Sequence, residues 1–372
     1  MRAPSSLALA ALLLGACSSA SSSTTSIAPP TASATPRPAP LPRLGGKADM
    51  NLAISLTPYP GQVPGGVWIQ LLDTSAGPRL LSSDLSEPLP SHSPSRTKVY
   101  SLPLSGGGPL TEVVDHYQLM PSQERWDATT RPDGRIVAAF TVFTGGDYGV
   151  QVSGKPGARP PDARPPSAPP FPWSVPPDLV RKSSFQGARF VRGLEGRLVV
   201  SALQWGAQPV LFADLQLGES PDEGLSLREL AFKCVDAIFV ADREGLGLVY
   251  RRPPTVRPGT QYDLIQGEVG YVRLDAALKP ILPATVLFPG GVVDEIDATP
   301  LADGLAVVVA TGTGLGVVTV GRRPGGFEVL GRKDVALPGK LRSPSIVAAG
   351  GKLLVAALHD GAVLVGEVAL GP

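Results

Sequence analysis

The acidic residues of segment 294–297 are the densest group of side chains in the sequence that could perform chemistry. Asp294, Glu295 and Asp297 stand within four positions and are interrupted only by Ile296. Paired carboxylates can bind a hard cation or act as general acid and base. Aspartate also recurs before strand-like runs, where its side chain can bond its own backbone in a turn. We therefore take these three acids as the catalytic candidates, and we favour a structural role over a catalytic one.

Other catalytic chemistries find little support in the sequence. The three histidines, His92, His116 and His359, do not stand at metal-ligand spacing, which argues against a zinc hydrolase. The sequence contains no Gly-x-Ser-x-Gly motif, so the nucleophile of an α/β-hydrolase is not expected. The glycine-rich segment 311–316 is followed by the strand-like run 317–320 and not by a helix, so it predicts a hairpin turn.

Glycine and proline dominate the composition and restrict the fold class. The 372 residues include 43 Gly and 41 Pro, and 43% of them are hydrophobic. In a helix interior Gly costs ~1 kcal/mol and Pro ~3 kcal/mol, so long helices are not expected. An all-β body with many turns explains both the turn residues and the large apolar fraction. The net charge of +1 gives no electrostatic basis for binding nucleic acid.

Short apolar runs preceded by glycine recur along the chain and predict a repeated unit. Each is followed, after a few turn residues, by a second apolar run, which is the pattern of a β-hairpin. The glycines that precede the first runs are Gly134, Gly196, Gly247, Gly304 and Gly351. The strongest internal similarity joins segments 127–134 and 297–304, in which five of eight positions agree. Repeats as long as the intervals between these glycines predict an array of small sheets.

This pattern resembles that of the β-propeller families. The segment Arg131-Pro132-Asp133-Gly134-Arg135-Ile136-Val137 is similar to the Ser-Pro-Asp-Gly turn and strand of periplasmic TolB-like blades. The segment 99–111 is similar to an outer strand with its glycine turn and Leu-Thr end. The resemblance covers residues 49–370 and implies a β-propeller. Adding segment 67–72 to the five glycine-led units gives six blades, with region 99–117 as the candidate for a seventh. The alternative is two β-sandwiches divided at a Pro-rich segment.

The first residues have the order of a secretory signal, with a positive start, an apolar run from Leu7 to Leu14, and small residues before Cys17. Leu14-Gly15-Ala16-Cys17 resembles the lipobox of bacterial lipoproteins. This resemblance implies cleavage before Cys17 and acylation of its thiol, and two or more acyl chains anchor a protein stably. Ser18 stands where an aspartate would favour the inner membrane, so the resemblance implies the outer membrane, facing the periplasm or the cell surface.

Four segments follow from these patterns. Residues 1–16 are predicted to be the signal peptide, and residues 17–47 a disordered tether rich in Ser, Thr, Ala and Pro. Residues 48–372 are predicted to form the propeller domain, with a Pro-rich loop at 154–178. A linker between two domains is the alternative for this Pro-rich segment. We favour the loop because the strand pattern is the same on both sides of it.

Cys234 and the four tryptophans are predicted to be core residues. Cys234 stands in an apolar run and, with Cys17 acylated, has no partner for a disulfide. Trp68, Trp126, Trp173 and Trp205 are too widely spaced to suggest a sugar-binding platform.

A non-catalytic binding scaffold is the function that the sequence favours, because no catalytic constellation is recognisable. Its partner would be a protein, peptide or glycan of the cell envelope. The alternative is a propeller hydrolase or lyase that uses carboxylates of the central channel. That alternative predicts that several of five acids converge within metal reach at one mouth of the channel: Asp127, Asp236, Asp294, Glu295 and Asp297. A purely structural envelope protein is the third candidate.

No cofactor is expected, and calcium is the one metal that the alternative function could use. Calcium-dependent propeller lactonases hold their metal with carboxylate and asparagine oxygens. This sequence contains a single asparagine, Asn51, so a calcium site would need Asp and Glu alone.

Overall fold

The computed structural model contains strands and turns but no helix in the part of the chain that it describes. The described residues are 40–44, 50–65, 68–85, 95–118, 126–130, 134–144, 147–153, 185–193, 198–204, 210–215, 228–230, 234–242, 245–256, 258–259, 264–265, 267–275, 278–291 and 293–371. The predicted signal peptide, Cys17 and the whole of the predicted loop at 154–178 lie outside these residues. No helix within them is long and apolar enough to cross a membrane.

The described strands form six antiparallel sheets of three or four strands, together with one short hairpin. Strand β1 (Leu52–Pro58) belongs to the last sheet. The first sheet comprises β2 (Ile69–Leu72), β3 (Arg79–Leu85), β4 (Ser95–Pro103) and β5 (Thr111–Gln118). The second comprises β6 (Trp126–Thr130), β7 (Ile136–Thr144) and β8 (Asp147–Ser153). The third comprises β9 (Phe185–Phe190), β10 (Leu198–Gln204), β11 (Val210–Leu215) and β12 (Arg228–Leu230).

The remaining sheets follow the same order, except for one insertion. The fourth comprises β13 (Asp236–Asp242) and β14 (Gly245–Arg251), then the inserted hairpin β15 (Thr255–Val256) and β16 (Leu264–Ile265), then β17 (Val269–Leu274) and β18 (Thr285–Phe288). The fifth comprises β19 (Val293–Leu301), β20 (Gly304–Thr311), β21 (Gly314–Arg323) and β22 (Gly326–Ala336). The sixth comprises β23 (Leu341–Ala349), β24 (Lys352–His359) and β25 (Ala362–Leu370), with β1 at its edge.

The first strands of consecutive sheets contact one another and close a ring. We call β2, β6, β9, β13, β19 and β23 the inner strands. Each contacts the next in this order, and β23 contacts β2. Strand β1 pairs with β25 from Leu52 opposite Leu370 to Pro58 opposite Leu364, so the two ends of the domain complete one sheet. This arrangement confirms the predicted β-propeller. It rules out the pair of sandwiches, since residues Pro38–Pro372 form one compact unit.

The predicted hairpins are confirmed as the second and third strands of their sheets. They are β7 with β8, β10 with β11, β14 with β17, β20 with β21, and β24 with β25. Region 99–117, the candidate for a seventh unit, lies in β4 and β5, in the same sheet as β2. The glycine-led runs therefore mark the second strand of a sheet and not the strand that lines the ring.

The core lies between neighbouring sheets, as the continuous apolar runs predict. Strand β20 shows why, because successive side chains of a strand point to opposite faces. One face contributes Leu305, Val307 and Val309 to the core shared with β13 and β14. The other face contributes Ala306, Val308 and Ala310 to a different core, shared with β23 and β24. Burying a Val or Leu side chain contributes ~1.5–3 kcal/mol, and both faces gain it only when the ring is formed.

The last part of the predicted tether packs on the domain. Pro42 and Leu44 are buried. The Leu44 amide donates to Asp303 Oδ1 at 2.7 Å, and the Ala302 amide donates to the Pro42 carbonyl at 3.0 Å. Burial of these two apolar side chains stabilises the attachment of this segment to the domain.

Candidate functional site

Each inner strand carries at least one buried polar residue, and one residue from each strand makes a set of six around the ring. We call this set the polar belt. Its members are Gln70, Asp127, Arg189, Asp236, Asp297 and Ser345, each of them at most 6% exposed. The inner strands are edge strands, so backbone groups on the side of the axis have no strand partner. Buried backbone groups need a partner, and the belt side chains supply it.

The first two belt residues show how this works. Gln70 accepts the Ala128 amide at 2.7 Å and donates to the Ala128 carbonyl at 3.0 Å, so its side chain serves both backbone groups of one residue on β6. Asp127 Oδ2 accepts the Phe190 amide of β9 at 2.6 Å. Gln70 and Asp127 therefore each bond the residue that follows the belt position on the next inner strand.

The same pattern of hydrogen bonds joins the inner strands β19, β23 and β2. Asp297 Oδ2 accepts the Ile346 amide at 3.1 Å and the Ser345 hydroxyl at 3.0 Å. Ser345 Oγ in turn accepts the Leu71 amide of β2 at 2.9 Å. One connected set of hydrogen bonds thus runs from β19 through β23 and β2 to β6 and β9.

Arg192, which follows β9, joins two inner strands on opposite sides of the ring. Its Nη2 atom donates to Asp127 Oδ1 at 2.7 Å and to Asp297 Oδ1 at 3.2 Å. Strands β6 and β19 stand three places apart in the cyclic order of the described inner strands, so the guanidinium crosses the axis. Burial lowers the pKa of Arg192, but the charges and hydrogen bonds of both aspartates raise it more. The pKa therefore lies above its ordinary value and the group stays charged.

A second buried ion pair belongs to the belt itself. Arg189 Nη2 lies 3.7 Å from Asp236 Oδ1 and donates to the Ile296 carbonyl at 3.4 Å. Its guanidinium also stands 6.0 Å from the centre of the Trp68 ring. The belt with Arg192 contains three carboxylates and two guanidinium groups, which leaves this set of charges net negative.

The catalytic candidates of segment 294–297 separate according to the alternation of β19. Asp294 is exposed and points away from Glu295 and Asp297, which share one face. Glu295 is half-buried, and its Oε2 accepts the Ser343 amide at 2.6 Å. Asp297 is 3% exposed and belongs to the belt. Glu295 is therefore the candidate acid that solvent can reach beside the belt.

Strands β19 and β23 run side by side in the same direction at this point. Glu295 bonds Ser343, Asp297 bonds Ser345 and Ile346, and Thr299 Oγ1 accepts the Ala348 amide at 3.2 Å. We call the end of the ring at which β19 and β23 begin the upper mouth. Glu295 stands nearer this mouth than Asp297 by two residues, ~6.6–6.8 Å along a strand.

Asp127 and Asp297 make hydrogen bonds that differ from the turn bonds predicted from the sequence. Asp127 and Asp297 bond the backbone of the next inner strand and not the turn in which the sequence placed them. Asp303 is the turn residue of this group and bonds Leu44. The convergence predicted by the alternative function is partial, since Asp127 and Asp297 meet at Arg192 while Asp236 pairs with Arg189.

Within the described residues no group of three His, Cys, Asp or Glu side chains could hold a metal ion. The charge of Arg192 lies between Asp127 and Asp297, where a cation held by these two carboxylates would have to bind. His359 lies near the surface, where its Nε2 atom donates to the Pro338 carbonyl at 2.9 Å. His116 lies in β5, and His92 lies outside the described residues.

Cys234, Trp68 and Trp126 are core residues, as predicted. Trp173 and Trp205 lie outside the described residues. Sequence patterns do not directly indicate Arg192, Gln70, Ser343 or Ser345. One signal existed: the similarity of segments 127–134 and 297–304 begins at the two belt aspartates that meet at Arg192. A third Asp-Ala pair, Asp236-Ala237, also begins at a belt position.

No protein-family model matches this chain, and no curated protein matches its sequence. Solved structures do match its fold. The GH93 α-L-arabinofuranosidase of Fusarium graminearum, in complex with arabinobiose, is 9% identical with a TM-score of 0.51, covering 86% of this chain and 98% of its own. An oxidoreductase of Thermus thermophilus, provisionally described as a glucose dehydrogenase, is 15% identical with a TM-score of 0.45, covering 85% and 100%.

A third similar structure is an exo-1,5-α-L-arabinanase from a bovine ruminal metagenomic library. It is 12% identical with a TM-score of 0.34, covering 65% of this chain and 91% of its own. Identities this low establish the fold and not an activity.

The comparisons correct the predicted function. The prediction of a non-catalytic scaffold is wrong as the main prediction: the matching structure with a TM-score above 0.5 is a glycoside hydrolase, which favours the alternative, a propeller hydrolase. That prediction depended on the absence of a catalytic motif in the sequence. In this fold, acids that are 170 positions apart, such as Asp127 and Asp297, meet at one arginine, so no local motif is needed.

Proposed function

We propose that this chain is a propeller hydrolase that cleaves glycosidic bonds at the upper mouth of the ring. The observation that carries the proposal is Glu295, a half-buried carboxylate held by the Ser343 amide directly above the buried, net-negative belt. Glycoside hydrolysis requires carboxylates and no serine or histidine nucleophile. This matches the side chains that the described inner strands place around the axis.

Glu295 is the proposed general acid and base. It donates its proton to the leaving oxygen as the glycosidic C–O bond breaks, and water then adds to the anomeric carbon and returns a proton to Glu295. The transition state carries positive charge on the sugar ring. The fixed negative charge of the belt stabilises that charge without reorganisation, because its carboxylates are already oriented by hydrogen bonds.

The test measures turnover of a panel of aryl glycosides by the secreted body of the protein with Cys17 replaced by serine. We expect Glu295→Gln to lower kcat by about 10²–10⁴, the contribution of a positioned acid or base. Glu328→Gln changes an exposed glutamate of β22 that pairs with Arg323, and it should leave kcat unchanged. Equal activity of Glu295→Gln and the unchanged protein would refute the proposed role.

The proposed location is a membrane surface outside the cytoplasm, through acylation of Cys17. Its support is the segment Leu14-Gly15-Ala16-Cys17, and the outer membrane is the favoured site because Ser18 follows. A glycan of the cell envelope is the proposed substrate, and a protein or peptide partner stays a prediction.

Labelling of cells with a palmitate analogue tests the anchor. The label should attach to the unchanged protein and to Cys234→Ser but not to Cys17→Ser, which should appear in the soluble fraction. Label on the Cys17→Ser protein would contradict the proposal.

A further inference from the structure

Ser343 combines three unusual properties at the place where Glu295 meets β23. Its φ angle is 47°, in the left-handed region that residues with a Cβ rarely adopt. Its side chain is completely buried. Its Oγ has no hydrogen-bond partner among the described residues. Each property is unfavourable for folding, and buried polar groups without partners are rare enough to require an explanation.

The backbone around Ser343 departs from the regular sheet in a way that directs it toward Glu295. The pairing of β23 with β24 shifts between Arg342 and Ser345, so that Ser343 and Pro344 stand together in a bulge. Bulges often orient a side chain near an active site. Here the bulge turns the Ser343 amide to Glu295 Oε2 at 2.6 Å.

A glycine would satisfy the backbone at this position without strain and without an unpaired hydroxyl. The serine hydroxyl therefore has no structural benefit in the described part of the chain. Strained residues concentrate at active sites and ligand clamps.

We infer that the Ser343 hydroxyl is a substrate-binding group that hydrogen-bonds a hydroxyl of the sugar held beside Glu295. The inference rests on the proposed function and adds a specificity-determining residue to it. In this proposal Glu295, which is half-buried, leaves the Ser343 amide as it turns toward the glycosidic oxygen, and the buried hydroxyl then meets the sugar.

The test uses Ser343→Gly and Ser343→Ala. Both remove the hydroxyl and keep the amide, and the glycine variant also removes the backbone strain, so it should fold at least as well as the unchanged protein. We expect both variants to raise KM for the best aryl glycoside about fivefold to tenfold, the effect of one lost hydrogen bond, with little change in kcat. A purely structural serine would give a more stable glycine variant with unchanged KM.

Deoxy substrates identify the hydroxyl that is bound. For one mono-deoxy analogue of the aryl glycoside, the KM of the unchanged protein should rise by about the same factor. The KM of Ser343→Gly should not rise further with this analogue, because both changes remove the same interaction. If every deoxy analogue raises the KM of Ser343→Gly by the same factor as the KM of the unchanged protein, the inference is overturned. The proposed hydrolase function would still stand.

Binding separates failure of the inference from failure of the proposed function. If no glycoside is turned over, the proposed function fails, and the affinity of the same sugars is then measured by calorimetry. Weaker binding by Ser343→Gly would still support the inference. Equal binding, or no binding by either protein, would overturn it.

Discussion

Asp127 and Asp297 lie on opposite inner strands and share one nitrogen of Arg192, at 2.7 and 3.2 Å. The carboxylates are 0% and 4% exposed, so neither has water to replace the guanidinium. Removing one member of a buried ion pair leaves an uncompensated charge and costs about 3–5 kcal/mol. We therefore expect Arg192→Met to lower the free energy of unfolding by about this amount, measured by urea denaturation.

The controls for Arg192 separate charge from packing. Arg323→Met breaks an exposed pair with Glu328 and should cost about 0–1 kcal/mol. Combining Arg192→Met with Asp127→Asn removes one of the uncompensated charges and should restore part of the loss. A loss no larger for Arg192→Met than for Arg323→Met would show that the contact across the axis does not stabilise the ring.

Closure of the ring by β1 makes Leu52 a second critical residue. Leu52 is 1% exposed in the core between the fifth and sixth sheets and starts the pairing of β1 with β25. Leu52→Ala should cost about 2–5 kcal/mol, the effect of a buried leucine truncated to alanine. Leu110→Ala changes a leucine that is 48% exposed and should cost far less in the same denaturation experiment. Similar losses for both variants would contradict the closure.

The sequence predicts the repeated unit well and the ring axis poorly, for a physical reason. Strand β20 is buried on both faces, so its run of apolar residues stands out in the sequence. The inner strand β6 is short and carries Asp127 and three threonine or alanine residues, so it shows no apolar run. Polar residues on the inner strands bond the unpaired backbone groups at the free edge of each sheet. Because these strands therefore lack a continuous apolar run, a search for hydrophobic patterns does not find them.

The site is harder to predict than the fold, because its parts lie far apart in the chain. Asp297 and Glu295 are recognisable as a cluster of acids. Asp297 is fixed in an ion pair by Arg192, about 105 positions away, and Glu295 is held by the amide of Ser343, about 48 positions away. A single sequence does not show the contact distances by which a half-buried acid is distinguished from an acid that is fixed in an ion pair.

Burial of Cys234 gives a prediction on pH. Burial, and then the charge of Asp236, raises the pKa of the thiol from 9.0 to about 12. Below pH 9 both folded and unfolded chains keep this proton. Between pH 9 and 12 only the unfolded chain loses it, so the free energy of unfolding should fall by about 1.4 kcal/mol for each pH unit.

Comparison of the Cys17→Ser protein with the Cys17→Ser, Cys234→Ala protein isolates this contribution from the tyrosines that also titrate. The difference in unfolding free energy between the two should shrink as pH rises from 9 to 12. A constant difference would show that the thiol ionises equally in both states. The native thiol should also resist a thiol reagent at pH 8 and react once the protein is unfolded, because the thiolate is the reactive form.

Gln70 tests whether the belt acts through the backbone of the next strand. Its amide serves both the N–H and the carbonyl of Ala128 at 2.7 and 3.0 Å, and Gln70 is 4% exposed. Gln70→Leu keeps the size of the side chain but leaves both backbone groups without this partner, at a cost of about 1–3 kcal/mol for each unsatisfied group. Amide hydrogen exchange should show faster exchange at Ala128, since its proton loses the oxygen that holds it. Thr57, whose hydroxyl bonds Val365 at the exposed edge of the ring, provides the matched control, and Thr57→Val should leave both stability and the exchange of Ala128 nearly unchanged. If Gln70→Leu unfolds no more easily than Thr57→Val, the contacts between inner strands are consequences of ring closure and not one of its causes.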